Sequence, residues 1–107
     1  MEVYKLEKMT KGWFIGNFEP SVHCTNDVEV GLKNYTSGFC EDSHFHKVAK
    51  EFTVIISGSV DMNGQIFNSG DIVVIMPGEM VKFKAISDVT TLVVKIPGVN
   101  NDKYLAK

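Results

Sequence analysis

The segment GFCEDSHFHKVAKEFTVIISG, residues 38–58, sets two histidines one residue apart and places a glutamate five residues beyond them. On a strand, residues two apart point the same way, so His44 and His46 present both imidazoles on one face while Phe45 and Lys47 take the other. Lys47 to Lys50 is a connection of turn length. It would return the chain and set Glu51, at the start of the next strand, beside the pair. Two imidazoles and one carboxylate on adjacent strands form a three-ligand set that leaves positions open for water or substrate on Fe(II), Mn(II), Ni(II) or Zn(II). An isolated His-x-His is more ordinarily two rings hydrogen-bonded in a polar interior, so the pair gains its meaning from what surrounds it.

The elements that must position these residues are short and strand-like. Three prolines and nine glycines punctuate the chain, and no long stretch shows a helical period. Strands are expected over Val3–Leu6, Trp13–Phe18, Val28–Tyr35, Ser43–Lys47, Glu51–Ser57, Val60–Met62, Gln65–Phe67, Ile72–Met76, Val81–Ile86 and Thr90–Ile96. The fold class is therefore all-β, a sandwich or barrel. Asn63-Gly64 supplies the positive φ angles of a two-residue hairpin. Val81-Lys82-Phe83-Lys84-Ala85 alternates apolar and charged residues, so Val81, Phe83 and Ala85 face inward and the lysines face water. Ile72–Met76 is apolar on both faces, and Phe52–Ile56 nearly so, which calls for cover beyond a second sheet. A homodimer would supply it, and Val3–Leu6 could serve as an exchanged strand. The last eleven residues read as an irregular tail or a short terminal turn.

Composition narrows the partners. The 107 residues suit one domain, 1–107, with a single core. Eleven basic residues oppose thirteen acidic ones and no two basic residues are adjacent, so no patch exists for gripping a nucleic-acid backbone. The N-terminus lacks a signal-peptide pattern and the longest apolar run cannot cross a bilayer, so no membrane contact is expected and the location expected is cytoplasmic. Cys24 and Cys40 are expected as free thiols.

The spacing around the histidines carries a family resemblance. Gly38, His44, His46, Glu51 and Gly58 are separated by five, one, four and six residues, and the chain resembles a small single-domain cupin at that family's first motif. Gly70 and Gly78 stand in place for the second motif, but Met76 replaces its proline, Val81 its histidine and Ala85 its asparagine. The resemblance covers about residues 28–96, the barrel core. It implies a double-stranded β-helix, or jelly-roll barrel, with His44, His46 and Glu51 in a pocket at one open end. It also implies that the family's fourth ligand is missing, with Val81 closing that side of the site as an apolar wall.

Two kinds of enzyme and one binding module remain open. The first is a metal-dependent oxygenase or isomerase acting on a small oxygenated metabolite, with a divalent ion on His44, His46 and Glu51. The second is a metal-free enzyme similar to the cupin sugar-nucleotide ketoisomerases, with His44 and His46 as catalytic acid and base. The third captures a carbohydrate or metabolite without turnover. Val81, Phe83, Met76 and Cys40 are the expected pocket-lining residues. Asp42 shares the parity of Cys40, and Lys47 and Lys50 could stand at the rim. Trp13 and Tyr35 could be stacking platforms or core. Phe39 and Met80 are expected in the core, and His23 at the surface.

Overall fold

The computed structural model describes residues 1–105. Ten strands form two five-stranded sheets in which every pairing is antiparallel. They are β1 (Trp13–Ile15), β2 (Glu29–Tyr35), β3 (Cys40–His46), β4 (Lys50–Ser57), β5 (Ser59–Met62), β6 (Gln65–Asn68), β7 (Ile72–Ile75), β8 (Val81–Ala85), β9 (Val89–Ile96) and β10 (Lys103–Leu105). One sheet runs β1-β2-β9-β4-β7 and the other β10-β3-β8-β5-β6. The all-β expectation holds, and nine of the ten expected strands have a counterpart in the structure. The exception is Val3–Leu6, which forms no strand and leads into a single 3-10 turn at Leu6–Lys8. Val3, Tyr4 and Leu6 are exposed there.

Local sequence accounts for several elements directly. Asn63 and Gly64 carry φ of 56° and 84°, the left-handed pair that a tight hairpin between β5 and β6 needs. On β8, Val81, Phe83 and Ala85 are buried and Lys82 and Lys84 exposed, as the alternation requires. Ile55, Val60, Met62, Ile75, Val81, Phe83, Ala85 and Val89 join in one core cluster between the sheets. Full burial of a side chain such as Ile55 or Val60 stabilises the fold by about 1.5–3 kcal/mol. Along the inward face of β4 the chemistry changes from Glu51 and Thr53 to Ile55, so the barrel is packed at one end and polar at the other.

The connection between β3 and β4 departs from the hairpin that the sequence suggests. β3 belongs to one sheet and β4 to the other, so residues 47–49 carry the chain across the barrel, and Glu51 meets the histidines face to face. The reason lies at the C-terminus. Asp102 is buried, and its carboxylate accepts hydrogen bonds from the backbone N–H groups of Lys47 (3.1 Å), Val48 (3.1 Å) and Ala49 (2.8 Å). Those donors are turned toward Asp102 and cannot close a hairpin ladder. The presumed tail is thus structural. After Asp102, β10 pairs with β3, matching Lys103 to His46 and Leu105 to His44.

Burial alone would raise the Asp102 pKa, but the N–H groups of Ala49, Val48 and Lys47 outweigh it and hold the carboxyl below its ordinary value. A depressed carboxylate contributes stability that is complete above the unfolded value and lost as pH falls through the folded one. Asp102→Asn is therefore expected to lower stability at pH 7 by on the order of 2 kcal/mol. The gap to wild type should close progressively below about pH 4, which thermal melts across that range would measure.

Candidate functional site

The polar end of the barrel holds a cavity of about 480 Å³. His44, His46 and Glu51 line it together with Val81 and Phe83, so the structure brings all five of these residues to one volume. His44 and Val81 are direct cross-strand partners. The apolar residue that the sequence resemblance sets in place of a histidine therefore stands beside the first of the pair.

Each imidazole is fixed by a backbone carbonyl. His44 Nδ1 lies 3.1 Å from the carbonyl of Asp42, and His46 Nδ1 lies 2.9 Å from that of Asp102. A carbonyl only accepts, so both Nδ1 atoms carry the proton and both Nε2 atoms are left for other partners. His46 Nε2 faces Glu51 Oε1 at 3.4 Å. The other Glu51 oxygen accepts a hydrogen bond from the Thr53 hydroxyl at 3.0 Å. Burial would raise the Glu51 pKa, but the contact with His46, helped by Lys95 and the Thr53 hydroxyl, holds it below the ordinary value. An ionised carboxylate thus faces a ring nitrogen whose neutral form offers only a lone pair. With Nδ1 turned to the Asp102 carbonyl, Nε2 is the ring atom that meets Glu51, and a proton on Nε2 or a cation held by both groups would complete the contact.

The donor chemistry, two Nε2 atoms and an ionised carboxylate, fits a divalent ion of the Fe, Mn, Ni or Zn type. The arrangement is not a closed cage. The two imidazole rings sit edge to face with centroids 5.7 Å apart. Among the described residues no group of three His, Cys, Asp or Glu side chains is already drawn together to hold a metal.

Two residues expected in the pocket lie elsewhere. Cys40 is exposed and absent from the cavity wall, because the register between β3 and β8 slips by one residue between Glu41 and His44. That β-bulge exchanges the faces, so Glu41 enters the cavity in place of Cys40, and Asp42 is exposed. Met76 is 52% exposed and follows the end of β7, outside the cavity. Lys47 and Lys50 lie over Tyr104 and Phe52 and do not line the cavity. Phe39 lines the cavity and Met80 is exposed, so neither joins the core cluster.

Other residues enter the site without having been singled out by the sequence. Lys11, Lys33, Lys95 and Lys103 line the cavity together with Thr53 and Thr91. Lys33 and Lys95 project inward from β2 and β9, in strands whose hydropathy does not alternate clearly enough to reveal a charged inward residue. Trp13 and Tyr35 both line the cavity. Tyr35 stacks on Phe39 and tilts against Phe83, with centroids 4.9 Å away in each case. Burial, with Glu41 and Glu51 adding to it, pushes its pKa up to about 12, so the hydroxyl keeps its proton and can donate.

No family model matches the chain, and no curated protein matches it in sequence. Solved structures do match. An uncharacterised conserved protein with a double-stranded β-helix domain from Klebsiella pneumoniae is 23% identical, with a TM-score of 0.72 over 97% of this chain and 90% of that one. The DMSP lyase DddQ from Ruegeria pomeroyi is 18% identical, with a TM-score of 0.73 over 88% of this chain and 49% of that one. Oxalate decarboxylase from Bacillus subtilis, an enzyme also described by its Mn(II) centres, is 20% identical, with a TM-score of 0.64 over 75% of this chain and 24% of that one. At these identities the likeness concerns the fold, and it fits the two five-stranded antiparallel sheets already described.

Proposed function

We propose that this chain, which has the double-stranded β-helix fold of the cupins, binds a divalent metal ion through His44, His46 and Glu51 and uses it on a small oxygenated metabolite in the cavity. The observation that carries the proposal is the approach of His46 Nε2 to the Glu51 carboxylate at 3.4 Å, which offers a cation a nitrogen and an oxygen donor together. Structural likeness to an enzyme described by its Mn(II) centres supports the reading. When bound, such an ion supplies Lewis acidity toward an oxygen-bearing group, or a site for oxygen activation. The protein does the rest. The carbonyls of Asp42 and Asp102 hold the two rings in the tautomer that presents Nε2, and the Thr53 hydroxyl orients Glu51. Val81, Phe83, Met62 and Val93 give the cavity an apolar wall that limits water. The protonated Tyr35 hydroxyl is available to a substrate oxygen.

The same contact favours a second reading. If the positive charge is a proton on His46 Nε2, then His46 and Glu51 form an acid–base pair, and the site resembles that of a metal-free ketoisomerase acting on sugar nucleotides. Turnover of keto-sugar nucleotides by chelator-treated protein would identify this enzyme. Binding without turnover in either form would identify a capture module.

We also propose that two copies pair through the outer face of the first sheet. The strand register places Val30, Leu32, Phe52, Val54, Val74, Ile72, Leu92 and Val94 on that face. Ile72 and Val74 are 65% and 45% exposed in the single chain, and a continuous apolar face of this kind is uncommon on a monomer. Light scattering at micromolar concentration should give a dimer, and Ile72→Lys combined with Val74→Lys should give a monomer. A wild-type monomer would overturn this assignment.

Metal content, measured on untagged protein purified without added metal, tests the main proposal. His44→Ala and Glu51→Ala should each lose stoichiometric metal while keeping the β-rich circular dichroism spectrum. Val81→His, placing an imidazole opposite His44, should tighten Zn(II), Mn(II) or Ni(II) binding by roughly tenfold or more. Unchanged affinity with a lower melting temperature would instead mark a metal-free pocket, the unpartnered ring costing about 1–3 kcal/mol.

A further inference from the structure

We infer that the cavity contains an anion subsite, built by Lys33 and Lys95 around Trp13, which takes the carboxylate or phosphate group of a small metabolite. The inference rests on the cavity being the functional site and adds the charge class of its ligand.

The charge balance of the cavity runs against that of the chain. The whole protein carries a formal net charge of −2, yet four lysines and only two glutamates, Glu41 and Glu51, line this one volume. Both glutamates are engaged, Glu41 by Lys103 and Glu51 by His46. Lys33 and Lys95 have no ion-pair partner among the described residues. Lys95 is the cross-strand partner of both Glu29 and Glu51 and feels their field, but its ammonium forms no ion pair with either carboxylate. Lys33 donates one hydrogen bond, to the carbonyl of Lys11, which leaves two of its three donors free.

The two ammonium groups are also held in place. Gly31 and Val93 are cross-strand partners, and Lys33 and Lys95 occupy opposite corners of that pair on the same inward face. Trp13 pairs with Gly31 from the other side. A Cβ on Gly31 would lie 2.6 Å from the indole, so only glycine lets the ring lie flat against β2. Lys33 Nζ then stands 5.2 Å from the ring centroid and Lys95 Nζ 4.9 Å, within cation–π range. Two half-buried like charges held on one ring repel each other and are partly stripped of water. Burial, with the other lysines adding to it, pushes Lys33 below its ordinary pKa. An anion held by these ammonium groups offsets both costs, with the rest of the ligand in the same cavity that His46, Glu51 and Tyr35 line.

Isothermal titration of chelator-treated and Mn(II)-loaded protein with malonate, methyl phosphate and neutral malonamide tests the subsite. At least one of the two anions is expected to bind and malonamide is not, with affinity falling as salt is raised. Lys33→Met and Lys95→Met should each weaken binding by about tenfold, while Lys84→Met on the outer face of β8 should leave it unchanged. Binding to the chelator-treated form with this pattern upholds the subsite even if no metal binds, so the two readings fail separately. Anion binding that is absent from both forms, or equal in wild type and both inner-lysine variants, overturns it. Unchanged circular dichroism spectra of the two variants exclude misfolding as the cause of a loss.

Discussion

The site depends on a carboxylate that lies outside it. Asp102 draws the N–H groups of Lys47, Val48 and Ala49 onto its side chain, and its own carbonyl takes the Nδ1 proton of His46. One residue near the end of the described chain thus bends the connection across the barrel and sets the tautomer of the ring that connection follows. Without those acceptors, three backbone donors in a crossing loop would need other partners. Glu51 would then have no fixed distance from His46.

Around this anchor the barrel divides its labour by position along the strands. Aliphatic residues fill one end, from Ile55 and Val60 to Val89, and supply the burial that holds the sheets together. Toward the other end the same inward faces carry the hydroxyls of Thr53 and Thr91 and the charged groups of Glu51, Lys33 and Lys95, which an open cavity can hydrate. Val81 and Phe83 belong to both regions, lying in the core cluster and on the cavity wall. The packed end therefore gives the polar end its rigidity.

Much of this was legible in the sequence because strand parity is a strict local rule. It placed His44 with His46 and Val81 with Phe83, and the positive-φ preference of Asn-Gly placed the turn at residues 63 and 64. Parity failed at Cys40, where the bulge before His44 inverts the faces and brings in Glu41. Local pattern also gave no hint that β3 and β4 lie in different sheets, since the acceptor that prevents a hairpin is more than fifty residues away at Asp102. Lys33 and Lys95 were missed for a related reason. A lysine on a strand is ordinarily solvated, and only the packing of Trp13 against Gly31 shows these two turned inward. Met76 was expected on the pocket wall, but it follows the end of β7 and is exposed.

Both imidazoles turn Nδ1 to a backbone carbonyl, which leaves Nε2 to meet the proposed cation beside Glu51. Nitrogen-15 spectra of the two rings, recorded on metal-free protein and again after one equivalent of Zn(II), test this arrangement directly. The expected result is an Nδ1–H signature for His44 and His46 before metal, followed by a shift of both Nε2 resonances to metal-bound values. Nε2–H tautomers in the free protein, with Nε2 resonances that do not move on adding zinc, would contradict it.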